Sequence, residues 1–301
     1  MMSVSKFYRS FFAFITAGFL LAFSLAALAE TTHYEVASSD GVSIAVQESG
    51  DPEGQPIVFI HGYLGSHLNW EPQVNSPLLQ KYRLITYDLR GHGLSDKPEE
   101  AIAYSDGRRW ADDLAAVVSA SNAQQPILVG WSLGGAVISN YLNYYDDRNI
   151  SGAVYVDGVV ELNSEQITSH PEIYQELVSE NLKTHLEATR DFLRLCFNQQ
   201  PESATFQLLL ANAALASWDM QENVQSMSIS LAGLSKTDQP ILMLYGKKDA
   251  LVQVDASISR AKEVNPNVET LLYENSGHAP FIEESTRFNQ DLTTFIEGTS
   301  H

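Results

Sequence analysis

The chain has 301 residues, 44% of them hydrophobic and 10% aromatic, enough for one large α/β domain with a substantial buried core. Its 18 Lys and Arg stand against 37 Asp and Glu, a formal net charge of −19. That excess argues against nucleic acid and anionic lipid as partners, because both are bound through cations; it fits a solvated acidic surface.

Residues 1–29 stand apart from the rest. Lys6 and Arg9 are the only charges before Glu30, Phe11 to Ala26 is nearly all apolar, and Ala27-Leu28-Ala29 puts small residues where a signal peptidase reads. This pattern predicts a cleaved secretory signal peptide and a secreted or periplasmic mature chain beginning near Glu30. The apolar run is shorter than the ~20 residues of a spanning helix, which weighs against a retained anchor, so no stable membrane association is expected after cleavage. Losing two cations takes the net charge from −19 to −21.

Downstream, short apolar runs alternate with helical patterns. The runs are 57–60, 83–87, 126–129, 152–156, 241–245 and 270–273, and each ends in Gly or a polar residue. Continuous aliphatic runs suit strands covered on both faces of a parallel sheet. Helical patterns between them, at 110–119 and 136–145, make a βαβ series. The expected fold class is therefore α/β, a mostly parallel central sheet flanked by helices. Residues 161–234 break the alternation with helical patterns at 171–180, 183–197 and 203–217. This stretch is too long for one crossover and is expected to form a helical cap, leaving 30–160 and 235–301 as the core. Cys196, the single cysteine, lies among Phe192, Leu193, Leu195 and Phe197 and reads as a buried inert thiol.

The polar residues ending parallel strands share one rim, where ligands of open α/β sheets bind. Gly130-Trp131-Ser132-Leu133-Gly134 fits G-x-S-x-G and sits between a strand and a helix, the placement a nucleophile elbow requires. His278, in Asn275-Ser276-Gly277-His278, follows the last apolar run and supplies a general base for Ser132. Asp249 follows the preceding run and supplies the carboxylate that orients the imidazole; Asp157, also at a strand end, is the rival orienter. Two amides are needed for the oxyanion: that of Leu133, after the nucleophile, and that of Tyr63, in the His61-Gly62-Tyr63 turn. His61 and His92 read as structural histidines. Leu64, Trp131, Trp218 and Phe281, together with the Tyr63 ring, are candidates for substrate contact, each equally a candidate for the core. No metal-ligand spacing appears, Asp96 stands where a dinucleotide fingerprint needs its third glycine, and the chemistry needs no cofactor.

His61-Gly62, Asp88-Leu89-Arg90-Gly91-His92-Gly93-Leu94-Ser95, Gly130-Trp131-Ser132-Leu133-Gly134-Gly135, Asp249 and Gly277-His278 together resemble the α/β-hydrolase superfamily. The spacing is similar to that of its esterase, lactonase and cofactor-free haloperoxidase branches, from about Thr32 to the C-terminus. The resemblance implies a triad of Ser132, Asp249 and His278, and a structural role for Asp88 to Ser95. Ser132 departs from the aspartate nucleophile of dehalogenases and epoxide hydrolases, and the long Gly-rich oxyanion loop of some lipases is missing. The expected reaction is acyl transfer from a small-molecule ester or lactone to water. Perhydrolysis or carbon–carbon hydrolysis with the same triad, and a non-catalytic binding protein on the same fold, are the alternatives.

Overall fold

The computed structural model describes residues 31–299; the expected signal segment, residues 1–29, lies outside them. Eight strands form one sheet: β1 (Thr32–Ala37), β2 (Ser43–Gly50), β3 (Pro56–Ile60), β4 (Arg83–Tyr87), β5 (Ile127–Trp131), β6 (Gly152–Val156), β7 (Ile241–Gly246) and β8 (Glu269–Tyr273). Their order is β1-β2-β4-β3-β5-β6-β7-β8. The pairs β1/β2 and β2/β4 are antiparallel and the rest parallel, so seven strands point the same way and only β2 opposes them.

Every residue of β5, β6 and β7 is buried, as expected of strands with helices on both faces. The Gly107–Ala120 helix starts at Asp106, whose side chain accepts from the Arg108 amide, and buries Trp110, Leu114 and Val117 on one stripe. The Leu133–Tyr144 helix is buried over nearly its whole length, and the Ser285–Gly298 helix buries Phe288, Leu292 and Ile296 at i, i+4 and i+8.

The six strands expected from apolar runs are all present. The two antiparallel strands are additional to them. In β1 only Val36 is buried, and in β2 the buried stretch Ile44-Ala45-Val46-Gln47 ends in a polar residue. A rule tuned to longer continuous apolar runs passes over both strands.

Between β6 and β7 the chain forms four α-helices, Pro171–Leu177, Leu182–Leu195, Ser203–Ala213 and Trp218–Asn223, and a short 3-10 turn at Val224–Ser226. They dock on the loops at the carboxyl ends of the strands. The Thr168 amide donates to Leu251 O at 2.9 Å, and that of Ser217 to Gly91 O at 2.8 Å. Glu283 Oε2 accepts from the Gln199 amide at 2.7 Å, while Glu283 Oε1 accepts from that of Gly277 at 2.8 Å. His185 pins the helices to one another: its Nδ1–H donates to Leu177 O, and its Nε2 accepts from the Trp218 indole at 2.9 Å. Cys196 is buried in this layer. Among the described residues no helix is long and apolar enough to cross a membrane.

Candidate active site

Ser132 follows β5 directly and is the residue before the Leu133–Tyr144 helix. Its backbone sits at φ 53° and ψ −114°, a strained conformation for a residue with a side chain. The surroundings hold it there: its amide donates to Val156 O, and its carbonyl accepts from Gly135 and Val159. The turn is possible only if the helix start lies against β3. A Cβ on Gly134 would stand 2.5 Å from Ile60 O, so glycine is required at that contact.

His278 arrives from the loop after β8, and its side chain is almost fully buried. The Trp131 indole donates to His278 O at 2.6 Å, tying the base's backbone to the residue before the nucleophile. His278 Nδ1–H donates to Asp249 Oδ2 at 2.7 Å. That bond fixes the tautomer and leaves Nε2 without a proton, the state a general base needs. Asp249 is itself held: its Oδ1 accepts from the amides of Leu251 (2.7 Å) and Val252 (3.0 Å). No hydrogen bond joins Ser132 Oγ to His278 in this arrangement; contacts of this kind commonly tighten when substrate binds.

The Gly62–Tyr63 turn packs against the nucleophile: a Cβ on Gly62 would lie 2.9 Å from Ser132 Cβ. Neither the Tyr63 nor the Leu133 amide donates to another group of the described residues. Leu133 also opens a 12-residue helix, whose N-terminal dipole favours negative charge. His61 is committed elsewhere, its Nε2 accepting from the Leu89 amide and its Nδ1 donating to Gly62 O. Burial pulls His61 down to about 4 and His92 to about 3, so both stay neutral. The Asp88–Ser95 loop is structural: Asp88 accepts from the amides of His67 and Leu94, and the buried Arg90 makes two 2.7 Å bonds to Asp113.

A small cleft with a cavity volume of about 50 Å³ opens on Ser132. Its walls include Tyr63, Leu133, Val159, Leu162, Ile167, Tyr174, Phe192, Leu251 and Val252, with no charged side chain among them. Tyr63 packs edge-on against Phe192, and Tyr174 does the same from the other side. The other four expected substrate contacts do not line this cleft. Leu64 is buried in the core. Trp131 is buried because its indole needs an acceptor and finds His278 O. Phe281 is fully buried between Trp70 and Trp131, at centroid distances of 4.4 and 5.1 Å. Trp218 is 40% exposed and held by His185. The residues that do form the walls come from the segments after β3, β5, β6 and β7 and from the helical layer.

Asp157, the rival orienter, ends β6 at φ 44° and is fully buried. Its Oδ1 accepts from the Gly246 amide at 2.8 Å, and its remaining oxygen has no donor. One atom from each of Asp157, Asp249 and His278 falls within a 4.8 Å cluster. The imidazole is bonded to Asp249, so Asp157 stands behind the orienting carboxylate.

This geometry defines a hydrolase that works through an activated serine. The family model described as alpha/beta hydrolase fold matches residues 55–204. A protein of Burkholderia cenocepacia assigned as an aryl esterase is 61% identical, covering 89% of this chain and 99% of its own, with a TM-score of 0.88. The esterase RhEst1 of Rhodococcus sp. ECU1013 is 31% identical over 89% of this chain and 99% of its own, with a TM-score of 0.82. The bifunctional esterase/perhydrolase DCH of Acinetobacter calcoaceticus is 26% identical over 87% of this chain and 98% of its own. The chain belongs to the α/β-hydrolase superfamily and is an enzyme of it.

Proposed function

We propose that this enzyme hydrolyses uncharged carboxylic esters, aryl esters and lactones included, through an acyl-enzyme on Ser132. The observation that carries the reading is the 2.7 Å His278–Asp249 bond at the rim where the strained Ser132 is exposed to the cleft. His278 Nε2 takes the Ser132 proton as Oγ attacks the ester carbonyl. The Tyr63 and Leu133 amides receive the oxyanion, His278 protonates the departing alcohol, and water then releases the acid by the same steps. An apolar wall without charged groups favours a neutral acyl or aryl group and penalises an ionised one, which would lose its water without gaining a partner.

The resemblance to an esterase/perhydrolase supports one second reading, in which peroxide replaces water as acceptor of the same acyl group. Rates on phenyl acetate, a γ-lactone and acetate plus peroxide separate the two acceptors. Mass spectrometry of the quenched enzyme should find the acyl group on the Ser132 peptide, and an adduct elsewhere would sink the assignment. The helical layer between 161 and 234 serves as a cap in this reading, and residues 1–29 as an export signal. N-terminal sequencing of exported protein should begin at or near Glu30; a chain beginning at Met1 in the membrane fraction counts against export.

A further inference from the structure

Asp249 is supplied with three donors, the amides of Leu251 and Val252 and the His278 Nδ1–H. It is built to be an anion. Asp157 lies directly behind it, fully buried, with one donor, the Gly246 amide, and one oxygen that meets none. A buried carboxylate oxygen with no donor is costly, and two carboxylates whose oxygens lie within 4.8 Å of each other in a dry site do not both ionise. The neighbours give Asp157 no relief. β7 contributes Tyr245 and Asp249; the histidine loop contributes His278 and Glu283; Tyr174 and Cys196 of the helical layer face Asp249. Asp249 and Glu283 are acids, and the Tyr245 hydroxyl is spent on Gly158 O. The fold accepts a left-handed backbone at Asp157, with its amide on Leu244 O, to keep the side chain in this place.

Resting on the serine-hydrolase reading above, we infer that Asp157 is a positioning residue: a neutral carboxylic acid whose Oδ2–H donates to Asp249. Burial, and after it the charge of Asp249, push the Asp157 carboxyl well above the usual carboxylate range, in the same direction as the hydrogen-bond count. The bond has two consequences for the reaction. It holds the Asp249 carboxylate in the rotation that meets Nδ1. It also draws negative charge from Asp249, so the imidazolium formed during attack is not held too strongly to give its proton to the leaving alcohol. The reaction then runs over one anion and one neutral acid, and no second anion lies under the imidazole.

The test compares Asp157→Asn with Asp157→Ala. Asn retains a donor toward Asp249 and an acceptor for Gly246, and it tolerates a positive φ. In Asp157→Ala the donor is lost, so the acid limb of the kcat/KM profile should move up by about one pH unit. Asn should return the limb to its wild-type position and recover most of the lost kcat. If Asp157 were instead ionised, Asn would remove an anion and the limb would move down, overturning the proposal. A purely structural Asp157 would leave the limb in place in both variants, which overturns it too. Should the alanine variant not fold, infrared difference spectra decide. Wild-type enzyme at neutral pH should show the carbonyl stretch of a protonated carboxylic acid, absent from Asp157→Asn; a band unchanged by the substitution would refute the assignment. That band needs no turnover, so its failure is distinct from failure of Ser132 to form an acyl-enzyme.

Discussion

Gly62→Ala tests the oxyanion assignment with the smallest change available. The new Cβ would stand 2.9 Å from Ser132 Cβ and 3.1 Å from Trp131 Cε3, where carbon pairs prefer about 3.5–4.0 Å. Neither partner can yield easily. Three backbone hydrogen bonds hold Ser132, and the Trp131 indole is bonded to His278 O. The turn carrying Tyr63 must therefore retreat by roughly 0.5–1 Å, and its amide leaves the oxyanion's position. A misplacement of that size costs up to about 10²-fold, and full loss of one donor about 10²–10³-fold. The expectation is a kcat drop of about 10–100-fold with KM nearly unchanged, since the apolar walls remain. Steady-state kinetics on phenyl acetate, with circular dichroism to verify folding, measure it. Gly41→Ala is the control: φ is +88° there but nothing lies within 4 Å of the new Cβ, so it should cost stability and leave kcat alone. A folded Gly62→Ala enzyme with wild-type kcat would refute the assignment of the Tyr63 amide.

Asp249→Asn should lower kcat by about 10⁴-fold or less through the wrong imidazole tautomer, with thermal stability as the check on folding. Phe192→Ala opens the wall between Tyr63 and Tyr174; it should cost about 3–5 kcal/mol in urea unfolding and lower KM for bulkier aryl esters relative to phenyl acetate. Arg90→Met leaves Asp113 buried and uncompensated, for a loss of about 3–5 kcal/mol, whereas Lys81→Met breaks an exposed pair with Glu297 and should change stability little. Acid sensitivity follows from the buried histidines. The native state keeps His61 neutral down to about 4, while the unfolded chain takes up that proton near 6.5. The unfolded state thus binds more protons across this window, and stability falls as pH drops through it, by on the order of 3 kcal/mol for His61. Urea titrations at stepped pH should show that slope, and a flat profile between pH 6.5 and 4 would contradict it.

That Ser132, Asp249 and His278 would meet at one rim was legible because a parallel sheet converts sequence order into place. Residues that end successive strands meet at one rim, so Ser132, Asp249 and His278 could be read from three strand ends without knowing any distance. The walls of the cleft were not legible for the same reason. They come from several strand-end segments and from the helical layer, where apolar character marks burial but not which neighbour is met. Phe192 and Trp218 look alike in sequence, yet one faces the cleft and the other is taken by His185. Trp131 and Phe281 belong to the core because an indole N–H and a ring pair were satisfied there first. Asp157 was visible as a strand-end carboxylate, but only the donors counted around Asp249 distinguish a second acid from an orienter. The edge strand β1 and its neighbour β2 lack the long continuous apolar run that marked the other six strands.

The central claim is that Ser132 is the nucleophile, and covalent labelling tests it most directly. Wild-type enzyme incubated with a fluorophosphonate should gain one adduct, located by peptide mass spectrometry on Ser132, with loss of ester turnover in parallel. Folded Ser132→Ala should take up no label and should lose turnover by several orders of magnitude, on the order of 10⁶-fold. Labelling of Ser132→Ala at the wild-type rate, or wild-type turnover by that variant, would contradict the account.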